Sequence, residues 1–222
     1  MRGTMKISVL LTALFSLSCL VWQDAGWAAS KNVTLMLGDT YAKGSKDAPV
    51  TLVEFTDYQC PYCNKFHEKT FPKLMRELVL TGKLRFISRD LPLDFHNHAF
   101  QAARATRCAG DQKKYWQMRH LLSSNPRKLR RPSLLNYAHK LRLRMGPFRS
   151  CLKSRRHDSA IKKDLTDARR AGITGTPGFV IGHTPRRGSR FFRGRIISGA
   201  QPYRIFEEWV DYLIDTAGRG GE

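Results

Sequence analysis

Hydrophobic and polar positions along this chain follow two different periods, and the period changes twice. Val50-Thr51-Leu52-Val53-Glu54-Phe55 is a short run rich in β-branched and aromatic side chains, so it reads as a strand. The turn-forming Gly44-Ser45-Lys46-Asp47-Ala48-Pro49 precedes it. From about Cys60 to Val79 the apolar positions Cys63, Phe66, Leu74 and Leu78 recur near helical spacing. Pro61 falls in the first turn of that helix, where a missing N–H costs nothing. Pro72 falls inside it and predicts a kink. Thr81-Gly82 ends it, and Lys83 to Ser88 reads as a second strand. A strand-helix-strand crossover is nearly always right-handed and makes its two strands parallel. Asn32 to Leu37 fits a short edge strand.

From about Phe95 to Arg170 the strand signal disappears. Amphipathic segments follow at His96–Ala109, Asp111–Ser123, Ser133–Leu141, Gly146–Lys153 and Asp158–Ala171, punctuated by Pro126, Pro132 and Pro147. Strand character returns at Gly178–Gly182 and Phe191–Ile197, joined by a basic turn, which predicts an antiparallel hairpin. Pro202 then opens a last amphipathic helix through Tyr203, Phe206, Trp209, Val210 and Leu213. The pattern predicts an α/β fold with one mixed central sheet flanked by helices and a helical block inserted between its halves. The halves are 29–94 and 171–217, the insertion is 95–170, and 218–222 reads as a flexible tail.

The first residues stand apart. Arg2 and Lys6 precede an apolar run from Ile7 to Trp22, and Ala25 to Ala29 offers small residues for cleavage after Ala28. That is the layout of a signal peptide over 1–28. The run is short for a membrane span of about 20 residues, so an uncleaved anchor is the weaker alternative. Cys19 lacks the setting for lipid attachment. Export places the mature chain in the periplasm or otherwise outside the cytoplasmic membrane. Four cysteines then remain, Cys60, Cys63, Cys108 and Cys151, in a compartment where disulfides persist.

Cys60-Pro61-Tyr62-Cys63 sits where the strand meets the helix, and this decides which chemistry to expect. A zinc site would need a second close pair of ligands. Only His67 is near, so no metal is expected. At a helix start, unpaired N–H groups and the helix dipole favour a thiolate, which is the nucleophile of disulfide exchange. Cys60 is thus the expected nucleophile and Cys63, one turn inward, the resolving thiol. His67 and His96 are expected at the surface or as caps, and Asp57 as a turn residue.

Charge changes the picture of partners. The chain has 39 Lys and Arg against 18 Asp and Glu, a net charge of +21. The stretch 95–170 alone has 20 Lys and Arg against four Asp and Glu. Such a field attracts anionic surfaces. Export and the lack of any helix-turn-helix, zinc-finger or RNP signature argue against specific nucleic-acid binding. An anionic membrane or envelope polymer fits better.

Two segments carry a resemblance to a known family. Phe55-Thr56-Asp57-Tyr58-Gln59-Cys60-Pro61-Tyr62-Cys63 and Gly172-Ile173-Thr174-Gly175-Thr176-Pro177-Gly178-Phe179 are similar to the DsbA-like thiol:disulfide oxidoreductases, which have a thioredoxin fold with a helical insertion. The resemblance spans about residues 45–216. It implies a redox-active Cys60–Cys63 disulfide and no other cofactor. It implies that Pro177 is a cis-proline facing the pair, with Thr176, Pro61 and Tyr62 beside it as the substrate-binding positions. It implies that Glu54 is a buried acid that moves the proton of Cys63, and a carboxyl in an apolar strand is expected to titrate high. Cys108 and Cys151 read either as two buried thiols or, as in some relatives and as export favours, as a structural disulfide. The implied partners are client proteins with cysteines and a redox partner, for which a membrane protein is a candidate. An oxidase is the first expectation. A reductase or isomerase of the same fold, a basic binding module with a thioredoxin scaffold, and a metal-thiolate carrier are the alternatives.

Overall fold

The computed structural model describes residues 31–38 and 41–219, so the expected leader over 1–28 lies outside the described residues. Six strands form one sheet: β1 (Asn32–Met36), β2 (Tyr41–Lys43), β3 (Val50–Thr56), β4 (Leu84–Asp90), β5 (Gly178–His183) and β6 (Phe191–Ser198), in the order β1-β6-β5-β3-β4-β2. β3 and β4 pair in parallel, and the other neighbours are antiparallel. β2 is an addition to the elements expected from sequence. Three residues are too few to show a period, and β2 exists because Gly44 turns the chain onto β4. Gly44 has φ +88°, and a Cβ there would stand 2.5 Å from the Leu84 carbonyl oxygen.

β3 is central, with every residue buried. Its even positions Val50 and Leu52 pack with Phe66, Leu74, Phe86, Phe179, Phe206 and Trp209 on one face. Its odd positions Val53 and Phe55 pack with Val33, Ile87, Val180 and Phe192 on the other. A strand covered on both faces has no solvent side, and so Glu54 is wholly buried.

The helix after β3 runs in four consecutive pieces. α1 (Pro61–Lys65) and α2 (Phe71–Leu74) are separated by a wide π-type turn at Phe66–Thr70, and a second such turn follows at Met75–Val79. Pro72 has no N–H to offer its preceding turn. The chain answers with the wide turn directly before it, where the Phe71 N–H reaches the Phe66 carbonyl. The kink expected at Pro72 is therefore a register change spread over the preceding turn.

Between β4 and β5 lie α3 (Ala99–Gly110), α4 (Tyr115–Ser123), α5 (Arg131–Lys140), α6 (Met145–Ser154) and α7 (Asp158–Ala171). They enclose their own core, which includes Ala102, Met118, Leu122, Leu134, Phe148 and Ile161. A disulfide joins Cys108 on α3 to Cys151 on α6 across that core. A buried ionic lattice fastens the block to the sheet. Arg89 Nε donates to Asp164 Oδ1 at 2.6 Å, Arg107 Nε to Asp90 Oδ2 at 2.6 Å, and Arg107 Nη2 to Asp164 Oδ2 at 2.5 Å. α8 (Tyr203–Arg219) closes the fold. It extends over the first two residues of the stretch read as a tail. Among the described residues no helix is long and apolar enough to cross a membrane.

Candidate active site

β3 delivers the chain to Cys60, which caps α1 in an extended conformation with φ −71° and ψ 122°. Pro61 follows in the first turn and Cys63 lies one turn further, so both sulfurs face the same side. Both cysteines are buried and in the dithiol form. The loop before them is held by one carboxylate. Asp57 Oδ1 accepts from the Gln59 N–H at 2.7 Å, and Oδ2 accepts from the Leu93 N–H at 2.8 Å. His96 Nδ1 meets the same Oδ2 at 2.8 Å. Asp57 is thus the turn residue expected, and His96 is a partly buried brace rather than a surface residue.

The loop after α7 supplies the opposite wall. Gly172 ends α7 with φ +80°, the left-handed conformation that glycine adopts freely. The chain then passes through Ile173 to Thr176–Pro177, whose peptide bond is cis. Cys60 Sγ donates to the Thr176 carbonyl oxygen at 3.2 Å. Thr176 Oγ1 is buried with no hydrogen-bond partner. Pro177 is buried, Pro61 is exposed, and Tyr62 is 63% exposed at the rim.

The two thiols are pushed in opposite directions. A hydrogen bond from the Cys63 thiol is the largest influence on Cys60. With the backbone N–H groups of Cys63 and Tyr62, it outweighs burial and lowers the Cys60 pKa to about 5. Burial pushes Cys63 well above its ordinary value, and the charges of Cys60 and Glu54 add to that. Cys63 Sγ also accepts from the Asp57 N–H at 3.4 Å.

Glu54 departs from expectation. Burial pushes its carboxyl up, but Arg119 and His67 outweigh it and hold the pKa below the usual value. Arg119 Nη2 donates to Glu54 Oε2 at 2.5 Å, and His67 Nε2 lies 3.2 Å from Oε1. The buried carboxyl is an ion-paired anion, not a raised acid. His67 is another correction. Its side chain is only 9% exposed. Burial first, and then Arg119, lower its pKa, and Nε2 lies within hydrogen-bonding reach of both Glu54 Oε1 and Arg119 Nη2. Arg119 itself is wholly buried, with Nη1 donating to Ser88 Oγ.

Arg119 is the site residue that sequence reasoning missed, hidden among many surface arginines. The signal was present. Tyr115, Met118 and Leu122 form the buried stripe of α4, and Arg119 falls inside that stripe at helical spacing. An arginine on the buried stripe needs a buried anion, and Glu54 is the anion.

Comparison with known proteins agrees with this geometry. The thioredoxin family profile matches residues 37–192. The chain is 37% identical over 150 residues to the Na(+)/H(+) antiporter NhaA 1 of Salinispora arenicola, covering 67% of this chain and 22% of that protein. It therefore spans about a fifth of the length of that relative. It is 46% identical over 43 residues to disulfide bond formation protein D of Bacillus subtilis, covering 19% of each chain. The structure superposes on Wolbachia pipientis alpha-DsbA1 with a TM-score of 0.72 and 24% identity, covering 85% of this chain and 97% of that one. By profile and by fold, the chain belongs to the thioredoxin family and has the helical insertion of its DsbA-like members.

Proposed function

We propose that this protein is a thiol:disulfide oxidoreductase that works as an oxidase, passing the Cys60–Cys63 disulfide to the cysteines of client proteins. The observation that carries the reading is the opposed titration of the two thiols within one helical turn. A client thiolate attacks Cys60 Sγ of the oxidised pair, and Cys63 leaves and takes up a proton. A second client thiolate then attacks the client sulfur of the mixed disulfide and releases Cys60. The client loses two electrons and the pair gains them. A low-pKa thiol is the better leaving group, so the Cys60 pKa of about 5 favours the releasing step. It also stabilises the dithiol product, and a stabilised reduced form makes the disulfide a stronger oxidant.

Re-oxidation by a partner disulfide requires Cys63 to lose its proton. Glu54 is the buried base whose charge already acts on Cys63, and we assign it as the acceptor, with Arg119 and His67 setting how readily it accepts. The exposed Tyr62 and Pro61 and the backbone around Thr176–Pro177 form the surface for an extended client segment, in the manner of an added strand. The name of the Bacillus subtilis relative, disulfide bond formation protein D, supports this direction. The disulfide between Cys108 and Cys151 supports an oxidising location outside the cytoplasmic membrane. The basic block gives the protein an affinity for anionic envelope surfaces.

The test is oxidation of a dithiol peptide by stoichiometric oxidised protein, with Cys60→Ser beside it. Wild type is expected to convert the peptide to its disulfide while the variant is inert. Equal inertness of both sinks the enzyme reading.

A further inference from the structure

A second cysteine cluster lies away from the active site, and its neighbours are metal ligands. Cys108, Asp111, Cys151 and His157 each offer one donor atom, and those atoms lie within 4.8 Å of one another. Cys108 and Asp111 are three residues apart at the end of α3, so they share a face. Cys151 is on α6, and His157 caps α7. Asp111 Oδ2 stands 3.5 Å from Cys151 Sγ and 2.9 Å from His157 Nε2. Two thiolates, an imidazole and a carboxylate are a zinc donor set. Bond lengths of about 2.0–2.3 Å place the donors of a tetrahedral zinc ion about 3.3–3.8 Å apart, and the spacings of Asp111 Oδ2 to Cys151 Sγ and His157 Nε2 already stand near that range.

In the structure the two sulfurs are bonded to each other, and a disulfide is a poor ligand. We infer that the Cys108–Cys151 bridge is the closed state of a redox-gated Zn2+ site, with Asp111 and His157 as the remaining ligands. A dithiol, such as a client protein's reduced cysteine pair, supplies the two electrons that break the bridge and becomes a disulfide itself. The two new thiols then give up two protons as Zn2+ binds. Two thiolates, a carboxylate and Zn2+ leave one net negative charge. Arg156, which donates to Asp111 Oδ2, stands where it offsets that charge. The backbone already allows the change, since the Cα atoms of Cys108 and Cys151 are 5.8 Å apart and only side-chain rotation is needed to separate the sulfurs. The ion has an entry side, because both sulfurs are buried but the Asp111 side chain is 30% exposed and that of His157 18%.

The experiment uses the full chain carrying Cys19→Ser, Cys60→Ser and Cys63→Ser, so that Cys108 and Cys151 are its last cysteines. Zinc binding is measured by competition with a colorimetric chelator, before and after reduction with a phosphine, with circular dichroism recorded throughout. The expected result is one Zn2+ per reduced chain at native helicity and none per oxidised chain. His157→Gln and Asp111→Asn should each weaken binding by about tenfold or more. Neither side chain is in the protein core, so neither variant threatens folding. Absence of stoichiometric zinc on the reduced chain overturns the inference. So does binding that is unchanged in both variants, because the cysteines alone would then hold the ion.

Discussion

The active-site sulfurs are one turn apart, and their difference comes from what each can hydrogen-bond. Cys60 stands at the helix cap, where donors converge, while Cys63 is enclosed and faces the charge of Glu54. A thiol whose pKa falls from 9.0 to about 5 stabilises the folded dithiol form. That contribution begins as pH rises above about 5, is complete above the unfolded value of 9.0, and is lost again as pH falls through about 5. The oxidised protein has no Cys60 thiolate and lacks it. The stability of reduced relative to oxidised protein should therefore grow from pH 5 to pH 9, as read by urea denaturation of each form. A flat difference across that range would contradict the thiolate assignment. Arg119 makes a second expectation at this scale. Arg119→Met leaves Glu54 charged and buried without its partner, which costs about 3–5 kcal/mol near neutral pH. Burial then raises the Glu54 pKa, so the deficit should shrink on acidification as the carboxyl takes up a proton. Denaturation at pH 7 and pH 5 measures both, and a deficit that does not change with pH would place the role of Arg119 elsewhere.

Elements explain why these residues meet. β3 carries Glu54 beneath α1 because the strand is covered on both faces, and α4 lays Arg119 across it from the inserted block. The block in turn is held by Asp164, whose two oxygens accept from Arg89 and Arg107. Asp164→Ala leaves two arginines without their shared anion, and the loss of a buried partner costs about 3–5 kcal/mol. A loss of that size is expected in urea denaturation. A loss below about 1 kcal/mol, the range of an exposed ion pair, would mean that the apolar contacts of α7 alone fasten the block. Much of this layer was legible in the sequence. β3, β4 and the β5–β6 pair announced themselves by β-branched runs, and the helices by their periods. β2 did not, because a three-residue strand depends on the tight approach at Gly44 rather than on a pattern. At the site, Cys60 and Cys63 were legible from their spacing and their place at a strand end. The titration of Glu54 was not, because its partner is 65 residues away on a helix whose polar members look like surface. His67 was misplaced for a related reason. The wide turn at Phe66–Thr70 changes the helical register, and His67 comes to lie against β3 instead of in water.

At the scale of the whole molecule, a basic chain whose inserted block is bridged by Cys108–Cys151 presents the Cys60–Cys63 pair between Tyr62 and the Thr176–Pro177 loop. A net charge of +21 favours approach to acidic surfaces, and salt screens such a field over a distance of about 8–10 Å. The direction of electron flow is a property of the couple itself. It follows from how strongly the fold stabilises the dithiol over the disulfide. The hydrogen-bond donors gathered around Cys60 put that balance on the dithiol side, which is the condition for an oxidant. The most direct measurement is the equilibrium reduction potential of Cys60–Cys63 in glutathione buffers at pH 7, with Cys108 and Cys151 kept bridged. The account predicts a potential well above the roughly −270 mV of thioredoxin and toward the roughly −120 mV of a strong disulfide donor. A value at or below that of thioredoxin would contradict it and make the protein a reductase.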